Sequence, residues 1–267
     1  MQGGDSELRL AHLEGEVYQL RTDYAESRHI HELILQQSSA MLSPVTYAYN
    51  LVNIVSLDLL TGTSTDLVSH HLDAAADAFQ TAQFPRGILL CQVLAVDLKV
   101  REGDKTGAHT EYIRAFAGAY SNNDDELSRY CLCKLADSTH PVHADSEIKR
   151  WAVVLLAFTM RPCSQNMLAV HQAMWFLGNV LAQQDADDEA LSILTVALEG
   201  FTWMDVHCSR AECMRTLGEV HFKRGEFHRA SIFWMEARPL FERSLQAQAV
   251  AEIDCKLADL ERHLKRI

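Results

Sequence analysis

Leu177-Gly178 is followed by Ala190, Leu194 and Ala197, and Leu217-Gly218 is followed by Ala230, Trp234 and Ala237, each residue 40 positions after its counterpart. In both copies the first Ala lies 13 residues after the Leu, and the two Ala are seven apart. A fixed period of this size marks stacked units, each unable to bury its apolar face alone. Glycine at the repeated position lets a second helix approach the first closely. The paired Ala fall on one helical stripe, where small side chains let bulky neighbours interlock. Asp185 and Gly225 sit five residues before the first Ala of each copy, where the chain leaves one helix and enters the next.

A weaker copy precedes these two. Ala95 and Ala108 are 13 apart, Gly103 falls at the turn, and Tyr112 and Ala115 follow. A degenerate copy comprises Leu135-Ala136, Ala152 and Leu156, with an enlarged Asp137–Ser146 turn. The pattern L-G followed by A-x3-F resembles the tetratricopeptide signature. The expected fold class is all-α: a right-handed superhelical solenoid of antiparallel helix pairs with a C-terminal capping helix. The expected organisation is an N-terminal helix over residues 1–42, packing on or extending a repeat domain over 43–267.

The remaining helices follow from stop signals. Ser43-Pro44 starts one that Gly62 ends; the next run from Thr65, from Pro85 to Arg101, and from Lys105 to Tyr120. Asn123 caps a helix to Asp137, and Asp145 or Ser146 another to Met160. Helices are then expected over Ser164–Gln184, Ala186–Phe201, His207–Arg224 and Glu226–Phe241, with Pro239 kinking or ending the last. A final helix from Ser244 to Leu264 would bury Leu245, Val250, Ile253, Leu257 and Leu260 under a charged outer side.

Upstream, Leu10, Leu13, Val17, Leu20, Tyr24, Ser27, His31 and Ile34 alternate spacings of three and four. That is a heptad seam, spoiled in its second half by Ser27 and His31. Two readings stay open: one long helix along the solenoid, or a homodimeric coiled coil through residues 7–37.

Composition narrows the function. The net charge of −12 repels phosphate backbones, so nucleic acid is not an expected partner. The basic C-terminal residues Lys256, Arg262, Lys265 and Arg266 complement the negative end of a last helix. The longest apolar run, Trp151–Met160, is ten residues, too short for a bilayer, so no membrane is expected. Seven cysteines, an odd number with no C-x-x-C, read as reduced core thiols of a cytoplasmic protein. The polar, acidic start shows no signal-peptide pattern.

Three constellations invite chemistry, and each has a plainer account. The clusters Asn123–Glu126 and Asp185–Glu189 begin helices, where carboxylates cap free amides and meet the positive dipole end. His207, Cys208, Cys213 and His221 come nearest to a zinc set, yet Cys208 and Cys213 lie about 140° apart around a helix. No cofactor and no metal is expected. The alternative function class, an all-α enzyme with a metal-dependent site between helices, would need carboxylates converging on a cavity.

Longer stretches carry a resemblance. Ala197-Leu-Glu-Gly-Phe-Thr-Trp-Met-Asp-Val-His-Cys-Ser-Arg-Ala-Glu-Cys-Met-Arg-Thr-Leu-Gly218 and Ala237-Arg-Pro-Leu-Phe-Glu-Arg-Ser244 resemble the C-terminal tetratricopeptide-like region of mushroom-type fungal proteins. Cys131–Asp137 and Trp151–Ala157 look like the same group. The likeness spans about residues 40–262 and is strongest after 127. Many such proteins carry an N-terminal NACHT-type signalling ATPase, which implies that the repeats serve as its sensor or autoinhibitory arm. This chain has no G-x-x-x-x-G-K-[ST]; Gly103-Asp-Lys-Thr-Gly107 is only superficially similar. Nucleotide hydrolysis is therefore not carried over.

The expected function is a non-catalytic protein- or peptide-binding scaffold, the sensor or regulatory arm of a signalling system. In tetratricopeptide pairs the first helix lines a concave surface. That register places Trp175, Asn179 and Gln183 there from one helix, and Glu212, Arg215, Glu219 and Lys223 from the next. An Asn in such a place can bond a peptide backbone at both C=O and N–H. Trp175 and Glu212 stand where some chaperone-binding members need cations, so an acidic chaperone tail is not the expected partner.

Overall fold

The computed structural model describes residues 3–38, 44–105, 107–137, 145–162 and 166–264. Among these residues there are thirteen α-helices and no strand, as the sequence led one to expect of an all-α repeat. In chain order they are α1 (Gly3–Leu20), α2 (Tyr24–Ser38), α3 (Pro44–Thr61), α4 (Thr65–Thr81), α5 (Pro85–Arg101) and α6 (Ala108–Ser121). Then follow α7 (Asp125–Ala136), α8 (Asp145–Thr159), α9 (Met167–Gln183), α10 (Asp187–Trp203), α11 (His207–Lys223), α12 (Phe227–Arg243) and α13 (Ala247–Leu264). The chain forms two compact units, residues 1–128 and 129–267.

One turn recurs in both units. Thr22, Gly62, Gln83, Gly103 and Asn123 in the first, and Asp185, Asp205, Gly225 and Leu245 in the second, all have φ between +52° and +92°. The next residue then donates its N–H to the carbonyl five positions back: Ala186 to Leu181, Val206 to Phe201, Glu226 to His221 and Gln246 to Phe241, all at 2.9–3.0 Å. This is the left-handed C-terminal motif that satisfies carbonyls orphaned at a helix end. In the second unit it recurs every 20 residues, half of the 40-residue sequence period. Asp185 and Gly225 therefore do end helices, as their spacing implied.

The repeated glycines sit at helix crossings. A Cβ on Gly178 would lie 2.6 Å from the Leu194 side chain of α10, and one on Gly218 2.4 Å from the Trp234 indole of α12. Leu194 and Trp234 are themselves one period apart. Ala190, Ala197, Ala230 and Ala237 are fully buried beside Phe201 and Phe241, so the small stripe and the bulky knobs interlock as expected. α11, α12 and α13 share a core of Ala211, Met214, Trp234, Phe241, Ile253 and Leu260. The weaker α5–α6 copy is built likewise, with Ala108, Tyr112 and Ala115 buried. In the degenerate copy Ala152 and Leu155 are buried while Leu156 is half-buried, and residues 138–144 of its turn lie outside the described residues.

Four expectations need correction. Residues 3–38 are a helical hairpin rather than one long helix, because Thr22 takes the left-handed conformation and closes α1. Of the two outcomes expected of Pro239, kinking or ending α12, the second does not occur, since α12 continues to Arg243; the proline is on the exposed face, where water can meet the Met235 carbonyl it leaves free. Leu245 is not under α13 but is the exposed left-handed residue before it, while Val250 and Leu257 are only partly buried. Asn123 is likewise the left-handed residue, and the cap of α7 is Asp124, whose carboxylate accepts from Leu127 N–H at 3.1 Å. At α10 no side chain caps; Asp187, Asp188 and Glu189 lie in the first turn and favour the dipole.

The first unit holds its N-terminal hairpin with a buried polar cluster. His31 and Asn50 are fully buried. Asn50 donates Nδ2 to the Thr46 carbonyl, so its Oδ1 accepts from His31 Nδ1 at 2.9 Å and from His12 Nδ1 at 3.2 Å. Asn53 Nδ2 approaches His31 Nε2 at 3.3 Å, which leaves that nitrogen as acceptor and the ring neutral. Gly15 lets α1 close over the ring, since a Cβ there would lie 2.8 Å from His31. His12 also reaches Glu16 at 3.1 Å, which favours its protonated form.

Two tests follow from this packing. Gly218→Ala pushes a methyl into the Trp234 indole and should cost about 1–3 kcal/mol by overpacking; an unchanged urea midpoint would contradict the crossing. Burial lowers the His31 pKa below its ordinary 6.5, so its contribution is complete above that pH and is lost as pH falls through the folded value. The hydrogen bond to Glu16 raises the His12 pKa, so its contribution is lost in the other direction, as pH rises above 6.5. Urea unfolding of His31→Gln should therefore show less loss of stability below about pH 6.5 than the wild type. Equal slopes in both proteins would refute the neutral buried imidazole.

Candidate functional site

In the second unit the first helix of each pair is α9, then α11, then the unpaired α13. Helices α9 and α11 touch directly. The seven residues that the repeat register assigned to this face lie on α9 and α11, but most already have partners.

Asn179 is buried, 5% exposed, and its Oδ1 accepts from Thr216 Oγ1 at 2.8 Å. Arg215 bonds Glu212 at 2.6 Å within α11 and Glu252 of α13 at 3.2 Å. Glu219 pairs with Lys256 of α13 at 2.9 Å. Lys223 reaches back to α9, donating to the Ala182 carbonyl at 2.8 Å and to Asp185 at 3.1 Å. Gln183 is exposed. Trp175 is half-buried, its ring 4.6 Å from that of Phe176.

The partners Thr216, Glu252 and Lys256 were missed from sequence, although a signal existed. Asn179–Thr216, Arg215–Glu252 and Glu219–Lys256 are all 37 residues apart. A 40-residue repeat brings equivalent helices side by side. A contact one turn back along the next helix is then three short of the period. Reading complementary polar pairs at that offset would have found all three.

What remains is a set of donors without acceptors. Among the described residues no acceptor reaches the Trp175 indole N–H or Arg215 Nε, both of them buried. Asn179 spends its oxygen on Thr216, and among the described residues none accepts from its Nδ2. Trp175 and Asn179 are one turn apart on α9, so they share a face. Burial pushes the Glu212 carboxyl above its ordinary range, against the pull of Arg215. A half-buried surface with spare N–H donors is suited to carbonyl oxygens, which an extended backbone supplies in series.

The other constellations are engaged structurally. Asp124 and Glu126 both bind Arg86, at 2.6 Å and 2.8 Å, beside a cavity of about 590 Å³ also lined by Pro85 and Leu89. Asp188 is paired with Arg224 at 2.5 Å. His221 holds Glu226 at 2.9 Å and stacks on Phe233. Among the described residues no three His, Cys, Asp or Glu side chains come together as metal ligands, and no helix is long and apolar enough to cross a membrane. Cys91, Cys131 and Cys213 are buried, and burial raises the Cys91 thiol pKa to about 11. Cys255 is exposed, and Cys163 lies outside the described residues.

Comparison with known proteins matches this architecture. A Rap protein crystallised in complex with competence and sporulation factor superposes with a TM-score of 0.67, covering 97% of this chain and 76% of that one at 10% identity. The apo form of RapI gives 0.54, covering 98% and 100% at 11% identity. This chain shares their helical-repeat fold. No protein-family model and no curated protein matches the sequence.

The cross-helix bond is directly testable. Thr216→Val keeps shape but removes the hydroxyl, leaving the buried Asn179 oxygen without its donor. The expected cost is about 1–3 kcal/mol in chemical denaturation. A neutral effect would show that the Asn179–Thr216 bond is not formed.

Proposed function

We propose that the protein is a non-catalytic peptide- or protein-binding scaffold, with the α9–α11 face of the second unit as its receptor surface. The observation that carries this reading is the buried, unbonded indole N–H of Trp175 on the same face as the uncommitted amide of Asn179. A buried donor with no acceptor is costly, and a bound backbone carbonyl would satisfy it once the half-buried ring turns its N–H outward. The helical-repeat fold supports the reading, as does the neighbour crystallised with a factor it binds. Of the seven register residues, Trp175 and Asn179 are the contacts. Glu212, Arg215, Glu219 and Lys223 brace the surface, and Gln183 lies at its open edge.

The finer role is the sensor or regulatory arm of a signalling system, as the resemblance to fungal NACHT-associated repeats implies. On this reading the chain acts in the cytoplasm on a protein or peptide ligand, and not on nucleic acid or a membrane.

The test is selection of peptides from a displayed random library on the folded protein, followed by titration of an enriched peptide. Trp175→Phe removes the N–H and keeps the ring; it should weaken binding by about 1 kcal/mol or more, while Trp175→Ala loses the anchor as well. Peptides that bind Trp175→Ala as tightly as the wild type would refute this surface.

A further inference from the structure

We propose that Trp175 and Glu212 form a subsite for a cation, the ammonium or guanidinium of a Lys or Arg side chain on the bound polypeptide. The proposal rests on the α9–α11 face being the receptor surface, and it names what that surface selects. Three polar pairs on this face are 37 residues apart, and a bond closes each of them: Asn179–Thr216, Arg215–Glu252 and Glu219–Lys256. The same offset from Trp175 leads to Glu212. Trp175 stands one turn before Asn179 on α9, and Glu212 one turn before Thr216 on α11, so the two occupy the adjoining rung between these helices. Among the described residues no bond closes that rung. The indole N–H has no acceptor, and Glu212 spends only Oε2, on Arg215.

The charges around Glu212 show what the rung lacks. Arg215 is its counter-ion at 2.6 Å, but the same guanidinium also serves Glu252 at 3.2 Å. Lys256 is taken by Glu219 at 2.9 Å, and Lys223 is drawn away to Asp185. Arg129 of α7 donates to the Gln172 side chain at 3.0 Å. At the seam of α11 and α13, Glu212, Glu219 and Glu252 thus share two cations, Arg215 and Lys256. Burial, with the negative charges of Asp137 and Glu219, holds the Glu212 carboxyl above its ordinary range.

A carboxylate that has lost most of its hydration is stabilised by a cation brought to it, and it costs free energy when an apolar group covers it. The Glu212 side chain is 20% exposed, so a bound group can still reach it. Trp175 is half-buried, and its accessible ring surface attracts a cation through the ring quadrupole. That attraction does not depend on where the indole N–H points. An acidic ligand side chain would be repelled here, and an apolar one would bury the carboxylate unpaired. Carboxylate and indole on one rung therefore select Lys or Arg.

Peptides selected from a displayed random library on the folded protein test this. Those that lose affinity on Trp175→Ala should share one Lys or Arg at a fixed position. Exchanging that residue for norleucine should weaken binding roughly tenfold, and Glu212→Gln should weaken the parent peptide by a similar factor. The norleucine peptide should bind Glu212→Gln and the wild type equally, because each change removes one half of the same pair. That equality also shows that the variant is folded. Acetylating the peptide amino terminus should leave affinity unchanged; a loss there, with the basic side chain dispensable, overturns the proposal. So do peptides that need Trp175 but share no basic residue, or that ignore Glu212→Gln, and these outcomes leave the receptor surface standing. Peptides indifferent to Trp175→Ala, or a library that yields none, overturn the surface and the subsite together.

Discussion

The structure depends on a left-handed residue placed after each of α1, α3 to α6 and α9 to α12. Where it recurs every 20 residues it fixes helix length, reverses the chain and starts the next helix in the same register. Every helix that ends this way presents the same face to its neighbour. The crossings then need small side chains at the same place, and Gly178 and Gly218 supply them under Leu194 and Trp234. Turn and crossing are coupled, because a one-residue change in helix length would rotate the next glycine by about 100° away from its knob.

Much of this was legible because the crossing is made of residue types that sequence shows directly. Glycine, alanine and a bulky apolar residue at fixed offsets gave the 40-residue period and placed α9 to α12 within three residues of their ends. The 20-residue turn period was not legible, since only Gly62, Gly103 and Gly225 advertise positive φ while Thr22, Gln83, Asp205 and Leu245 hold it through the hydrogen bonds around them. The same blindness made α1 and α2 look like one helix. A heptad count runs unbroken through Thr22, because periodicity records which residues are apolar and not where the backbone reverses.

The candidate site was half legible. The register put Trp175, Asn179 and the α11 residues on first helices, which is where they lie. It did not show that Thr216, Glu252 and Lys256 would engage the polar members, because those bonds join helices a full repeat apart. The consequence is a surface braced by its own side chains, not a row of free contacts. The 37-residue offset of these pairs shows that bracing and periodicity have one origin: equivalent helices stand side by side, and side chains lean toward the preceding turn.

The central claim is that this braced face, through the unbonded Trp175 indole, is where a polypeptide docks. The four tryptophans give four indole N–H signals in a ¹H–¹⁵N spectrum, and Trp175→Phe assigns one of them. On titration with a selected peptide, the Trp175 signal should move downfield as it acquires an acceptor, while the 84%-exposed Trp203 stays in place. A Trp175 signal that does not move at saturation, with Trp203 shifting instead, would contradict the account.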